Sequence, residues 1–137
     1  MRVVVETPKW SFVKYRWNGT SFVRDLISPF PNLFNYGFVE GTVSEDGMEQ
    51  DALVLGGRLR QGDKVDYVIA GNVKLVDDGK RDDKLIFTEN GRITRLEYMM
   101  IRLFYLFYPG FKRFYSVFIL GRKYTCKFEG IIVNKSQ

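Results

Sequence analysis

The chain has 137 residues, of which 45% are hydrophobic and 27% are charged, and its formal net charge is +5. These totals are ordinary for a globular chain with a hydrophobic core, so we expect a single domain over residues 1–137. The chain contains no histidine, which excludes His-based acid–base catalysis and His-ligated zinc. Cys126 is the single cysteine, so an intramolecular disulfide and a multi-cysteine metal site are excluded as well.

Short apolar runs separated by turn residues occupy the chain up to residue 97 and predict β-strands. The runs are Val3–Val5, Ser11–Trp17, Ser21–Leu26, Gly37–Val43, Ala52–Leu55, Lys64–Leu75 and Lys84–Thr88. The Asn-Gly pair in "WNGTSF" indicates a hairpin between two of them. Short strands at this spacing predict a small closed or partly closed barrel.

The C-terminal third begins with one predicted helix. Within "GRITRLEYMMIRLFYLFY", residues Ile93, Leu96, Met100, Leu103 and Phe107 recur at helical spacing, and the following Pro109-Gly110 is expected to end the helix. The remaining "FYSVFILGRKYTCKFEGIIVN" predicts two strands on either side of Gly121. Charged residues and Pro109 interrupt residues 98–120, so we expect no membrane span there.

The start of the chain and its single cysteine favour a cytoplasmic protein. The apolar run in "MRVVVETPKW" is too short for a signal sequence, and one cysteine suits a reducing compartment. The apolar helix and tail suggest that copies of the chain associate into a homo-oligomer.

Two acidic loops carry the most specific chemical signal. The first, "SEDGMEQD" at residues 44–51, contains Asp46 and Asp51 and leads into a strand. The second, "DDGKRDDK" at residues 77–84, contains Asp77 and Asp82 and ends on Lys84. Mg²⁺ prefers oxygen ligands and is often bound by one or two carboxylates together with substrate phosphates. Acidic loops are more often solvated turns, so composition alone leaves this interpretation open.

Four ordered blocks of the chain resemble the soluble family I inorganic pyrophosphatases. These are "VVVETPKW" with "KYRW", then "NYGFVEGT", then "EDGMEQDALVL", then "DDGKRDDKL". The family pattern at these places runs V-E-I-P-K with K-Y-E, N-Y-G-F-I-P-G-T, E-D-G-D-P-x-D-x-L-V-L and D-x-x-x-x-D-x-K-L. The match extends from residue 3 to about residue 88, and the remaining chain matches only loosely.

The resemblance implies a mainly β chain with flanking helix, an OB-like five-stranded barrel, and Mg²⁺-dependent hydrolysis of inorganic diphosphate. Its implied metal-binding residues are Asp46, Asp51, Asp77, Asp82 and Glu6. Its implied substrate-binding residues are Lys14, Arg24, Lys84 and Tyr108, with Asp25 as the alternative to Arg24 in that register. Asp46, Asp51 and Tyr36 are the implied catalytic residues.

Four positions depart from the family pattern, and one of them is Asn32, which falls where the family has a Tyr. Met48 stands where the family has the Asp that deprotonates the attacking water, and a thioether cannot accept that proton. Glu49 could move into its place, although neighbouring residues in an extended chain point to opposite sides. Arg16 replaces a Glu, and Pro109 replaces a Lys for which Lys112 and Arg113 are the nearest substitutes.

Three functions therefore compete. The first is an inorganic diphosphatase, slowed by Met48, and the second is a homologue that binds metal and a phosphate-rich ligand without turnover. The third is a nucleic-acid-binding barrel, which the carboxylates disfavour because they would repel a phosphate backbone. We favour the first and expect neither nucleic acid nor a membrane as partner.

Overall fold

The computed structural model describes residues 1–28, 30–44, 47–118, 121 and 125–134. Its strands and one helix follow in this order: β1 Val3–Thr7, β2 Val13–Trp17, β3 Phe22–Ile27, β4 Asn35–Val39, β5 Gln50–Val54, β6 Lys64–Val65, β7 Val68–Asp77, β8 Lys80–Arg81, β9 Lys84–Thr88, α1 Arg95–Phe118 and β10 Cys126–Val133. Every strand predicted before residue 97 is present, and the predicted run from Lys64 to Leu75 divides into β6 and β7.

Most strands belong to one eight-stranded sheet. Its order is β10-β7-β9-β5-β4-β1-β6, and β8 pairs with β7 beside this path. β5 and β9 run parallel, whereas β4 pairs antiparallel with both β1 and β5. β2 and β3 form a separate two-stranded sheet. The chain is thus mainly β with one flanking helix, as the sequence predicts.

The central strand β5 is covered on both faces. Leu53 belongs to a hydrophobic core cluster that also contains Ile101 and Tyr105 of α1. Ala52 and Val54 belong to a second cluster with Val3, Val39 and Phe87. Successive side chains of a strand point to opposite faces, so one short apolar run supplies both clusters.

Asn35, the first residue of the "NYGF" block, stabilises the fold through its side-chain hydrogen bonds. Asn35 is fully buried, and its amide group donates to the carbonyls of Val54 and Gly57 at 3.2 and 2.9 Å. Its Oδ1 accepts the N–H groups of Lys9 and Leu59 at 3.0 and 2.9 Å. These partners lie at the end of β5 and in the segments that follow β1 and β5, so Asn35 holds those segments against the start of β4.

The first turn of α1 is stabilised by a capping box. Thr94 Oγ1 accepts the Glu97 N–H at 3.1 Å, and the Glu97 carboxylate accepts the Thr94 N–H at 2.9 Å. Each bond satisfies an N–H group that the helix itself cannot pair.

The expectation that Pro109 ends the helix is wrong, because α1 continues to Phe118 with Pro109 inside it. A proline at this position removes the hydrogen bond to the carbonyl of Tyr105. The next turn is nevertheless held against the sheet, because Lys112 Nζ donates to Asp77 Oδ2 at 3.1 Å. The helix therefore includes residues 114–118, where the sequence predicted a strand, and only the second strand predicted in the tail, β10, is found.

The face of α1 that packs on the sheet also differs from the predicted one. Leu96, Leu103 and Phe107 are 68%, 55% and 74% exposed, whereas Ile101 and Tyr105 are 0% and 2% exposed. Apolar residues surround most of this helix, so spacing alone could not identify its buried face. Within the described residues, no helix is both long and apolar enough to cross a membrane.

Gly37 allows β1 and β4 to approach closely, and its replacement tests this account of the fold. A Cβ atom at Gly37 would lie 1.9 Å from the Val4 carbonyl oxygen, which is backbone and cannot move aside freely. We predict that Gly37→Ala lowers the free energy of unfolding by about 3 kcal/mol or more, measured by urea denaturation. Gly57→Ala is the matched control, because no atom lies within 4 Å of its added Cβ. A Gly37→Ala protein as stable as Gly57→Ala would contradict the proposed close approach.

Candidate active site

A cleft of about 290 Å³ opens between the β-sheet, the β2–β3 hairpin and α1. The sequence-predicted residues that line it are Glu6, Lys14, Tyr36, Asp51, Asp82, Lys84 and Tyr108. These residues come from six different strands or loops and the helix. The fold therefore brings together side chains that lie up to a hundred positions apart in the sequence.

Lys84 lies at the centre of the cleft and joins the two acidic loops. Its Nζ donates to Asp51 Oδ2 at 2.5 Å and to Asp82 Oδ2 at 2.9 Å, and the residue is 3% exposed. Burial alone would lower the pKa of Lys84, but Tyr36, Asp51, Tyr108 and Asp82 outweigh burial and raise it well above its usual value. Lys84 is therefore a buried cation that draws two carboxylates together.

The strand register explains this meeting. In the parallel pair of β5 and β9, Ala52 lies opposite Leu85, so Asp51 and Lys84 occupy the preceding positions of neighbouring strands. Asp82 lies two residues before Lys84, and extended chain places such residues on the same side. Asp83 points the other way, and its carboxylate accepts the Leu75 N–H at 3.1 Å and a bond from Arg81 at 3.1 Å. Of the adjacent aspartates, Asp82 thus serves the cleft and Asp83 serves the fold.

The Asp82 carboxyl group holds its proton more tightly than an exposed aspartate. Burial raises its pKa to about 6, with Lys84 acting in the opposite direction and Asp51 adding to the increase. The cleft thus concentrates negative charge that one ammonium group only partly compensates.

Glu6 reaches the cleft from a β-bulge in β1. The pairing of β1 with β4 shifts between Val5 and Thr7, which leaves Glu6 as the extra residue. Its Oε2 accepts the Trp17 N–H at 2.6 Å. Burial raises the pKa of Glu6 to about 7, the Trp17 bond lowers it, and the nearby Asp51 and Glu49 carboxylates raise it.

Tyr36 forms part of the cleft wall beside these carboxylates. Lys84 Nζ lies 5.6 Å from the centroid of its ring. Burial and the Asp51 charge raise the pKa of Tyr36 well above its usual value. The phenol is therefore protonated at neutral pH and can donate a hydrogen bond to an anion.

Lys14 and Lys112 provide positive charge on the helix side of the cleft. Their Nζ atoms lie 5.7 and 5.2 Å from the centroid of the Tyr108 ring. Burial, together with Lys112 and Lys84, lowers the pKa of Lys14 to about 8. Asp77 does not line the cleft, but its bond to Lys112 fixes that ammonium group at the cleft wall.

Met48 and Glu49 both line the cleft, contrary to the expectation that neighbouring residues here point to opposite sides. The reason is that β5 begins only at Gln50, so residues 48 and 49 belong to the turn before it. The Met48 carbonyl accepts the N–H and hydroxyl groups of Ser44 at 2.7 and 3.0 Å. Met48 is 51% exposed and Glu49 is partly buried.

Arg24 is not among the residues that line the cleft, whereas its neighbour Asp25 is. The pairing of β2 with β3 shifts between Lys14 and Tyr15, so that Asp25 is the extra residue of a second bulge. Arg24 is exposed on the hairpin, and Asp25 lies 3.7 Å from Arg16. Of the two alternatives, Asp25 therefore lines the cleft, and the preferred Arg24 does not.

Asp46, the remaining predicted site residue, lies outside the described residues. Within the residues that the structure does describe, no group of three Asp, Glu or Cys side chains is close enough to hold a metal ion. Asp51 and Asp82 are two described carboxylates that share one partner, the Lys84 ammonium group.

The sequence indicates Lys112 only as a possible substitute for the lysine that the family pattern has at position 109. In the structure Lys112 lines the cleft. It follows Tyr108 by four residues, which places both on the same face of a helix. That spacing was visible in the sequence, but the expected end of the helix at Pro109 hid it.

The model of the inorganic pyrophosphatase family matches residues 3–106. The chain belongs to the inorganic pyrophosphatase family. It is 37% identical over 91 residues to an inorganic pyrophosphatase of Haemophilus influenzae, a match that covers 63% of this chain and 52% of that protein. It is 40% identical over 92 residues to soluble inorganic pyrophosphatase 2 of Chlamydomonas reinhardtii, covering 61% of this chain and 46% of that protein.

Solved structures of the family share the fold. An inorganic pyrophosphatase from Helicobacter pylori superposes with a TM-score of 0.79 at 23% identity, covering 99% of this chain and 85% of that one. One from Neisseria gonorrhoeae gives 0.76 at 29% identity, covering 97% and 82%. These likenesses confirm the predicted fold class, a mainly β chain with an OB-like barrel and a flanking helix. The chain spans about half the length of the curated relatives it matches.

The low pKa of Lys14 generates a prediction about anion binding. Because its folded-state pKa is about 8, Lys14 is charged below that pH and loses its proton above it. The measurement is the affinity for imidodiphosphate, determined by calorimetry without divalent metal for the wild-type protein and for Lys14→Met. We expect the ratio of the wild-type affinity to the variant affinity to fall by up to about tenfold per pH unit above pH ~8. Taking the ratio of the two proteins cancels the protonation of the ligand itself.

Lys64→Met serves as the control, since Lys64 pairs with Glu40 at the surface, away from this cleft. Its affinity should follow the wild-type profile. A constant ratio between wild type and Lys14→Met across the range would show that Lys14 does not bind the anion.

Proposed function

We propose that this chain hydrolyses inorganic diphosphate to two phosphates in the cleft around Lys84. The observation that carries the proposal is the meeting of Asp51 and Asp82 at one buried ammonium group, beside Lys14 and Lys112. Carboxylates that could hold a divalent cation thus adjoin ammonium groups that could receive a phosphate. Membership of the inorganic pyrophosphatase family supports the same reaction.

The donor set fits Mg²⁺. Every predicted metal-binding side chain is a carboxylate, and Mg²⁺ takes oxygen ligands and is often held through one or two carboxylates with substrate phosphates. Asp51 and Asp82 are the residues that would hold it, with Asp46, Asp77 and Glu6 as the further predicted ligands. When bound, Mg²⁺ would neutralise phosphate charge and lower the pKa of water.

The remaining side chains act on the anion. Lys14, Lys84 and Lys112 would balance the negative charge of the two phosphates, which is the main requirement of phosphoryl transfer. The Tyr36 and Tyr108 hydroxyl groups would orient phosphate oxygens through hydrogen bonds. Asp77 also holds the Lys112 ammonium group in place through the bond between them.

Met48 makes the reaction slow in this proposal. Its thioether lies at the cleft where the family pattern has an Asp, and it cannot remove a proton from water. Glu49 lines the same cleft and is the nearest carboxylate along the chain that could take over this role. The same observation on Met48 favours a second candidate function, binding of metal and a phosphate-rich ligand without turnover.

Three further expectations from the sequence remain predictions: a single domain over residues 1–137, a cytoplasmic location and a homo-oligomer.

Phosphate release from inorganic diphosphate tests the proposal, with Met48→Asp as the informative variant. We expect Mg²⁺-dependent release by the wild-type protein and a rate at least about tenfold higher for Met48→Asp, because a positioned general base typically contributes 10²–10⁴-fold. Met48 is half-exposed, so the substitution should not disturb the core.

Asp51→Asn is the matched control, because Asp51 lies three residues after Met48 and lines the same cleft. It should abolish release in both backgrounds, since it removes a proposed metal ligand. Inert wild type with active Met48→Asp would favour the second candidate function. No release by either protein with Mg²⁺ or Mn²⁺ would reject hydrolysis.

A further inference from the structure

An apolar groove of about 400 Å³ lies between α1 and the segment that follows β3. Its walls are largely aromatic or aliphatic, and they include Phe30, Pro31, Leu103, Phe107 and Phe111. Few polar side chains enter it, so the groove favours an apolar occupant.

The groove adjoins the cleft and shares part of its wall. Five residues line both cavities: Lys14, Asn32, Leu33, Phe104 and Tyr108. A ligand that occupied both cavities would place its charged end beside the lysines of the cleft and its apolar end in the groove. Lys14 stands at the junction, where its ammonium group can contact the anionic part of such a ligand.

The groove residues are also exposed to an unusual degree for their type. Phe30, Leu103 and Phe107 are 69%, 55% and 74% exposed. Exposed apolar side chains arranged around a cavity indicate a binding surface more strongly than scattered ones. Packing of the described residues does not require them, since the core clusters of the protein contain none of the three.

We infer that the groove holds the organic group of a diphosphate monoester whose two phosphates lie in the cleft. This inference rests on the proposed function and extends it to a substrate class with one dianionic end and one apolar end. The ester phosphate would lie at Lys14 and Tyr108, and the terminal phosphate would lie toward Lys84. The shared wall at Lys14 favours this occupant over a protein partner, because it links apolar contacts to a site for phosphate charge.

Hydrolysis of such an ester balances with water alone. The water oxygen bonds to the terminal phosphorus, and the bond from that phosphorus to the bridging oxygen breaks. The oxygen and one proton of water remain on inorganic phosphate, and the other proton goes to the released organic monophosphate.

Binding of two non-hydrolysable probes tests the inference without depending on turnover. The probes are the hexyl and methyl esters of methylenediphosphonate, measured by calorimetry with Mg²⁺. We expect wild-type protein to bind the hexyl ester roughly tenfold to a hundredfold more tightly, because each additional buried methylene group favours binding. Phe107→Gln should reduce this ratio by roughly fivefold and leave the affinity for the methyl ester unchanged.

Leu106→Gln is the matched control. Leu106 immediately precedes Phe107 in α1, is 51% exposed and does not line the groove. It should keep the wild-type ratio. Equal binding of both esters, or an unchanged ratio in both Phe107→Gln and Leu103→Gln, would overturn the inference. Dissociation of a wild-type oligomer by Phe107→Gln in sedimentation would do so too, because the groove would then be an interface between copies.

The proposed function and this inference fail differently. Absence of phosphate release with preserved preference for the hexyl ester would reject hydrolysis alone. Release of phosphate from inorganic diphosphate with equal binding of the two esters would reject the groove alone.

Discussion

The cleft depends on one buried contact, in which the Lys84 ammonium group bonds to both Asp51 and Asp82. Two carboxylates at close range repel each other, and a buried charge is costly unless it is paired. Lys84 resolves both problems at once and thereby fixes the positions of two acidic loops that are far apart in the sequence. The same two carboxylates are the residues that would hold the proposed cation.

The sheet supplies the accuracy that this contact needs. Parallel pairing of β5 with β9 sets Asp51 beside Lys84, and the two-residue period of extended chain adds Asp82. Asn35 and Gly37 flank Tyr36 in the sequence but have structural roles. Gly37 allows β1 and β4 to approach closely, and Asn35 fixes the segments to which it is hydrogen-bonded. One short sequence block thus supplies one residue that lines the cleft and two that stabilise the fold.

Much of this could be predicted from the sequence, because strand positions and the acidic and basic residues of the cleft follow from local pattern and from the order of the blocks. What the sequence did not reveal depends on irregular backbone or on tertiary packing. The family pattern indicates Glu6 and the alternative Asp25, but no residue pattern indicated the β-bulges at which both lie. Packing beyond Pro109 extends α1 and brings Lys112 to the site, although local propensity predicted a helix end.

The free energy of unfolding of Lys84→Met in metal-free buffer tests the central contact most directly. Removing the shared ammonium group leaves Asp51 and Asp82 facing each other, and we expect a loss of about 3 kcal/mol or more relative to wild type. Lys64→Met, which breaks the exposed pair with Glu40, should cost less than about 1 kcal/mol. If Lys84→Met is no less stable than Lys64→Met, Lys84 does not hold the two acidic loops together and the account of the cleft is wrong.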